Sequence, residues 1–498
     1  MSNYLSTGSE WTFGLLKKYE TAIAEIAGEY HLKTYPNQIE VITAEQMMDA
    51  YSTVGMPLGY HHWSYGKQFL NVEKRYKRGE MGLAYEIVIN SDPCIAYLME
   101  ENTVMMQALV IAHASYGHNS FFRNNYLFRT WTSADSIIDY LVFARNYIRQ
   151  CEERYGEEEV EIILDSCHAL MNYGVDRYKR PPRLSADEEL VRIADREEYL
   201  RLQHNEIWRT LPPKPVPDEE DFEELFPSEP QENFLYFIEK NAPLLEGWQR
   251  EIVRIVRKIA QYFYPQRQTQ VMNEGWACFW HYTLVNDLYN RGQVDDGFMV
   301  EFLKSHTNVL FQPDFDHPYY SGINPYSLGY AIMTDIRRIC ENPTDEDKQW
   351  FPKLANTNWL KQMDFAMRNF KDESFIAQYL SPKVIRELKL FSVLDDDQDN
   401  HLVISAIHDD AGYQHVRHAL SEQYNLGTHE PNLQIYNVNR RGDRSLTLRH
   451  MQHNRRPLGS NIEEIIKHLV RLWGFTVRID SVYDNGNVEL THECRRDF

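Results

Sequence analysis

Two histidines five residues apart, in His113-Ala-Ser-Tyr-Gly-His118, stand at the end of an apolar run from Val104 to Ala112. Neutral imidazole nitrogens are ligands for zinc and similar ions, and two from one short segment lower the entropic cost of chelation. On a regular α-helix this spacing leaves the rings about 140° apart, so a straight helix does not bring them together. A break at Gly117 or a one-residue π-bulge does, and such bulges favour functional sites. The alternative is a pair of packing, hydrogen-bonded histidines. A second cluster, Asn273-Glu274-Gly-Trp-Ala-Cys278-Phe-Trp-His281, lies in a stretch that is apolar on nearly all sides. An ionised Glu274 there needs a cation, a metal or several hydrogen bonds, because isolated burial of a charge costs several kcal/mol. Pairing with an arginine or capping of a helix would also account for it. His281 falls on nearly the same face as Glu274 but about 10 Å along the axis, which suits a supporting or substrate-contacting role. Cys278, one turn after Glu274, is the nearer neighbour.

Two more stretches carry site-like residues. In Gly55 to Lys67, glycines and aromatics surround Tyr60, His61, His62 and Lys67, which suits either a pocket wall or a packed, turn-rich core segment. In Asp314 to Tyr326, polar groups sit in a Pro/Gly loop, a usual place for binding residues. His168 falls on a helical pattern and reads as a satisfied core histidine. There is no GxSxG elbow, GxxxxGK[ST] phosphate loop, GxGxxG or HExxH.

The elements that must hold these residues are mainly helical over the first 380 or so positions. Apolar residues recur at helical spacing from Trp11 to Ile26 and through 98–113, 135–151, 157–174, 243–264, 269–290 and 296–309. Prolines and carboxylates at 212–232 predict a long exposed acidic connection. After about Pro382, β-rich runs at 388–394, 401–407, 432–439, 444–450 and 475–482 alternate with helical patterns at 410–424 and 461–473. The expected organisation is a large helical domain over 1–382 and a small α+β domain over 383–498. The latter holds nine of the 19 histidines. His415, His418, His450 and His453 among them read as surface or packing residues, since they spread over several elements. Asp395 to Asn400 imitates a calcium loop but lacks its central glycine and has Ala406 in place of the bidentate glutamate, so it reads as a hairpin turn.

Composition narrows the partners. The 498-residue chain has a net charge of −21, which gains nothing from phosphate backbones or anionic membranes. Nucleic acid is therefore not expected. No run of about 18 apolar residues suggests a membrane span. Six scattered cysteines without a CxxC pair, and no secretory signal pattern, fit a reducing, cytoplasmic setting.

GYHHWSYGKQF, HASYGHNSFFRNN, VDRYKRP, NEGWACFWHY and INPYSLGY, in this order, resemble the SpoVR family, named for a stage V sporulation protein, and its enterobacterial branch in particular. The resemblance implies a cytosolic bacterial protein of sporulation-type or stress physiology. It also implies as partners a PrkA-type serine kinase or a von Willebrand-type protein of the same pathway, and it supplies no reaction. Locally, His113, His118 and Glu274, the last within an NExxA-type helix, resemble the ligand set of gluzincin metallopeptidases. That resemblance implies a zincin-like arrangement holding Zn²⁺ or a similar divalent ion. The gluzincin general-base Glu is replaced by Ala114. The expected chemistry is metal-dependent hydrolysis of amide bonds in peptide or cell-wall fragments. His281 or His62 would then serve as the base, and Tyr60, Lys67 or Tyr326 would polarise a carbonyl. Two alternatives are a non-catalytic scaffold that binds a kinase or regulator, and redox work at an iron site. The second ranks last for want of an ExxH pair on the helices.

Overall fold

The computed structural model describes residues 4–6, 8–52, 59–60, 62–63, 86–177, 226–227, 229–318, 320–394, 403–405, 409–452, 458–459, 461–483 and 486–495. Its contacts form two compact units, one of residues 1–168 with 246–431 and one of 169–245 with 432–498. Pro382 therefore lies inside the first unit. Most of the acidic connection at 212–232, the Asp395 to Asn400 turn, and His453 lie outside the described residues.

The first unit is mainly helical. The Thr12 hydroxyl accepts from the Leu15 amide and starts α1 (Phe13–Glu29), which buries Leu16, Tyr19, Ile23 and Ile26 as its spacing predicts. A departure follows. Asn37–Ile42 (β1), Glu86–Ile89 (β2) and Cys94–Met99 (β3) form a three-stranded sheet in the order β1-β3-β2. β1 runs parallel to β3, and β2 antiparallel to it. Every β3 residue is buried, so the strand reads as a continuous apolar run that periodicity cannot tell from a helix.

Thr103 then caps α2 (Val104–Val110), which continues into a π-helical segment, Ile111–His118, and on into α3 (Asn119–Asn124). All eight residues of the π segment are buried. α4 (Glu157–Ala169) opens with three glutamates, where the helix dipole favours negative charge. The unit centres on α5 (Gln270–Asn290), with α6 (Asp296–Val309), α7 (Pro325–Glu341) and α8 (Asp372–Tyr379) following it in the chain. Asn324 caps α7 and Pro325 occupies its first turn, where its missing N–H costs nothing. Further on, β4 (Ser392–Leu394) and β5 (Val403–Ser405) pair antiparallel on either side of the expected turn.

The second unit carries a sheet in the order β6-β7-β8-β9, formed by Asn432–Val438, Leu446–Met451, Val477–Val482 and Val488–Cys494. β7 and β8 are parallel, joined through α9 (Ile462–Trp473), as a parallel pair requires. β9 gave no signal because its side chains from Val488 to Thr491 are exposed without an apolar face. No described helix is long and apolar enough to cross a membrane.

What positions the candidate site is the close approach of three backbones around α5. A Cβ on Gly117 would lie 2.6 Å from the Cα of Ala277, and one on Gly275 would lie 2.3 Å from the carbonyl carbon of Gly329. A Cβ on Gly329 would lie 2.0 Å from the carbonyl oxygen of Val271. The atoms in the way are backbone, so they cannot rotate aside. Gly329→Ala is expected to force α5 and α7 apart and to lower unfolding free energy by about 2 kcal/mol or more. Urea denaturation checks this, and an unchanged midpoint would contradict the close crossing.

Candidate metal centre

The π segment answers the spacing problem posed by His113 and His118. Its i→i+5 hydrogen bonding, closed by the Asn119 amide on the Ala114 carbonyl, turns residues five apart onto one face. The two rings lie edge to face with centroids 4.6 Å apart. Across from them on α5, Oε2 of Glu274 is 3.5 Å from Nε2 of His118 and 3.7 Å from Nε2 of His113. A second carboxylate arrives from the start of β2, where Oε1 of Glu86 lies 3.2 Å from Nε2 of His113.

Donor atoms around a tetrahedral ion at 2.0–2.2 Å stand about 3.3–3.6 Å apart. The three separations, 3.2, 3.5 and 3.7 Å, bracket that spacing, and two of them exceed ordinary hydrogen-bond lengths. Oε2 of Glu86 and Oε2 of Glu274 are both buried without a hydrogen-bond partner, an arrangement native interiors avoid unless something else satisfies the oxygens. No arginine or lysine among the described residues pairs with Glu274, and it caps no helix. Two imidazoles and two carboxylates are a donor set suited to zinc and to iron or manganese. The residues therefore fit a divalent ion. Both glutamate side chains keep 18% of their surface accessible, although one oxygen of each is buried.

The electrostatics separate the two acids. Burial, reinforced by the Glu274 charge, pushes Glu86 well above the usual carboxylate range. Burial also disfavours the ionised form of Glu274, but His118, His113 and a hydrogen bond with Tyr326 outweigh it and hold this carboxyl below its ordinary value. Burial and the neighbouring His118 lower His113 to about 4, so its ring is neutral at neutral pH. Nδ1 of His118 is 3.0 Å from Oδ1 of Asn273, which accepts its proton and leaves Nε2 facing Glu274. Cys278 lies close to His113 and His281, and burial beside Glu274 and Glu86 raises its thiol far above its usual range. It is an uncharged neighbour.

Of the residues singled out in the sequence, His113, His118, Glu274, His281 and Tyr326 come together. Tyr60 and His62 do not join them. They are held on α4, where Tyr60 hydrogen-bonds His168, and His62 and Trp63 share Oδ1 of Asp165 at 3.0 and 2.7 Å. The partners that the structure gives the expected base His62 and the expected polarising group Tyr60 are Asp165 and His168, one turn apart on α4. Lys67 lies outside the described residues. In the Pro/Gly loop, Asp314 pairs with Lys389 and Asn324 is committed to capping α7. The loop lines a cleft of about 690 Å³ together with Lys389, Phe391 and Leu420. His450 is a buried packing residue bonded to Ser481, and His415 and His418 are exposed. Sequence reasoning missed Glu86, which stands alone at the head of a short strand, and His306, discussed below. For His306 a signal existed: it lies four residues after Phe302 on the buried stripe of α6.

With this geometry in view, the comparisons with known proteins are decisive about kinship. Residues 10–429 match the model of SpoVR-like proteins, and residues 431–484 match the SpoVR-like C-terminal domain. The chain belongs to the SpoVR family. It is 64% identical to the uncharacterized protein YcgB of Escherichia coli (strain K12) over 490 residues, covering 98% of this chain and 96% of that relative. No solved structure matches the chain. In this SpoVR-like protein every residue of the cluster lies within the segment that the first family model spans.

The N-terminus of α5 depends on another buried acid. Asp372 accepts from the Val271 and Met272 amides at 2.9 and 2.8 Å, yet burial outweighs these bonds and raises its pKa to about 7. A carboxyl raised on folding contributes most stability below its unfolded pKa and loses it as pH climbs through about 7. The wild-type melting temperature is thus expected to fall between pH 5 and 8. Asp372→Asn, although less stable overall, should show a flatter fall, and parallel pH curves for the two proteins would contradict the assignment.

Proposed function

We propose that this SpoVR-family protein is a metal-dependent hydrolase that cleaves amide bonds in peptide or cell-wall fragments, with His113, His118 and Glu274 holding a divalent ion, Zn²⁺ by preference. The observation that carries this reading is the convergence of two imidazole nitrogens on two carboxylates, each with one oxygen buried and without a hydrogen-bond partner. When bound, the ion supplies Lewis acidity for polarising a carbonyl and for lowering the pKa of water. The residues do the rest. Asn273 orients His118, and Tyr326 bonds Glu274. Glu86 is the carboxyl placed to handle protons beside His113, a task Ala114 cannot perform. It comes from a strand rather than from the residue after the first histidine, and it reaches the same side of His113 as Glu274. Two acids driven apart in pKa, Glu86 upward and Glu274 downward, are a recurrent basis for dividing acid and base roles. His281 meets His113 at Nδ1, the nitrogen turned away from the carboxylates, a position that suits support of the ring better than the role of base. The local likeness of His113, His118 and Asn273 to Ala277 to gluzincin ligand sets supports amide hydrolysis by analogy.

Metal content of the purified protein, measured by plasma emission, is expected to approach one divalent ion per chain and to fall at least about tenfold in His113→Ala and Glu274→Gln. Glu86→Gln should retain the ion but slow hydrolysis of muropeptide or peptide mixtures, followed by mass spectrometry, by about 10²- to 10⁴-fold. Wild-type protein that carries no ion, or hydrolysis that survives Glu274→Gln, would defeat the proposal.

A further inference from the structure

The face of His113 turned away from the carboxylates is as specific as the face turned toward them. Nδ1 of His113 is 2.8 Å from Nδ1 of His281, and Nε2 of His281 is 2.7 Å from Nδ1 of His306. The three rings come from the π segment, α5 and α6, and are 5%, 1% and 5% exposed. Each of the two N···N contacts needs one N–H and one bare nitrogen, which neutral rings supply. A neutral imidazole has one N–H and one bare nitrogen, so two hydrogen bonds in series among three such rings admit only two consistent directions.

In the outward direction His113 donates from Nδ1 to His281, His281 donates from Nε2 to His306, and Nε2 of His113 is a bare lone pair facing Glu86 and Glu274. In the inward direction each bond is reversed. Nε2 of His113 then carries hydrogen toward Oε1 of Glu86, 3.2 Å away, and has nothing to offer a cation. The ring of His306 is held for this task by Phe302, stacked at 5.8 Å, and by Tyr282 and Tyr330 at 4.8 and 5.0 Å.

We propose that His281 and His306 are positioning residues of the metal centre, a three-ring chain whose outward hydrogen-bond direction presents the Nε2 lone pair of His113 to the ion. The inference rests on the metal reading above and adds what lies behind it. A bound ion would favour the outward direction. Relative to the inward one, Nε2 of His113 would have given up a proton, the two bridging protons would each have crossed to the neighbouring ring, and Nε2 of His306 would have taken one from water, so every ring would still hold one. Occupancy is thereby written into the tautomer of a residue that touches neither carboxylate.

The test uses the full chain and Zn²⁺ alone as the probe. In protein labelled with ¹⁵N at histidine, His306 is expected to be the Nε2–H tautomer once zinc is bound. By chelator competition, His306→Phe, which keeps the ring packing but has no acceptor, should weaken zinc binding about 10- to 100-fold. His306→Asn places an amide oxygen near the position of Nδ1 and should stay within about threefold of wild type. Zinc-loaded protein with His306 as Nδ1–H, or His306→Phe binding as tightly as wild type, overturns the chain while leaving the metal centre standing. Wild-type protein that binds no zinc removes both. The tautomer measurement on wild type decides the matter even if His306→Phe fails to fold.

Discussion

An acidic group buried in this helical core must be neutralised locally, and the first unit is arranged around that requirement. Glu274 sits on a helix with apolar neighbours on nearly every side, where an unpaired charge would cost more than the stability of most domains can spare. No cationic side chain among the described residues answers it. What faces it is a pair of imidazoles, and near them stands a second carboxyl whose pKa burial and the Glu274 charge raise. The alternative of replacing such a group by a hydrocarbon would have been easier on stability, so its retention among four convergent donors points to use rather than to packing.

Each irregularity nearby serves that convergence. The π segment carries one residue more per turn than its surroundings, which is what sets the His113 and His118 rings at 4.6 Å. Gly117 lets this segment touch α5 at Ala277, and the contact of Gly275 with Gly329 fixes α7 against the same helix, so that Tyr326 reaches Glu274 from the first turn of α7. The glycines here give proximity rather than flexibility.

Much of this centre was legible in the chain. Histidines at a spacing that a straight α-helix does not bring together left a break at Gly117 or a π-bulge as the ways to join them, and a glutamate in a hydrophobic stretch called for a cation, a metal, an arginine or a capping role. Both inferences concern residues whose local sequence conflicts with their setting, which is where functional sites tend to stand out. Glu86 was not legible, because a four-residue strand has too little pattern to register and the pairing of β2 with β3 is a long-range fact. The partners of Tyr60 and His62 were hidden for the same reason, since proximity in sequence to other histidines says nothing of Asp165 and His168 about 100 positions later. The division into units was likewise hidden, because it follows contacts that cross the chain twice.

That crossing has a consequence for how the molecule is made. Residues 169–245 belong with 432–498, so as the chain emerges from the ribosome this early stretch waits until nearly 190 further residues have been synthesised. The N-terminal turn of α5 waits as well, since the carboxylate that satisfies its amides is Asp372, 100 positions downstream. A nascent chain halted before that point carries both histidines and Glu274 but has no finished cradle for them. Completion of the centre is a late event in biogenesis, timed by the arrival of a distant aspartate.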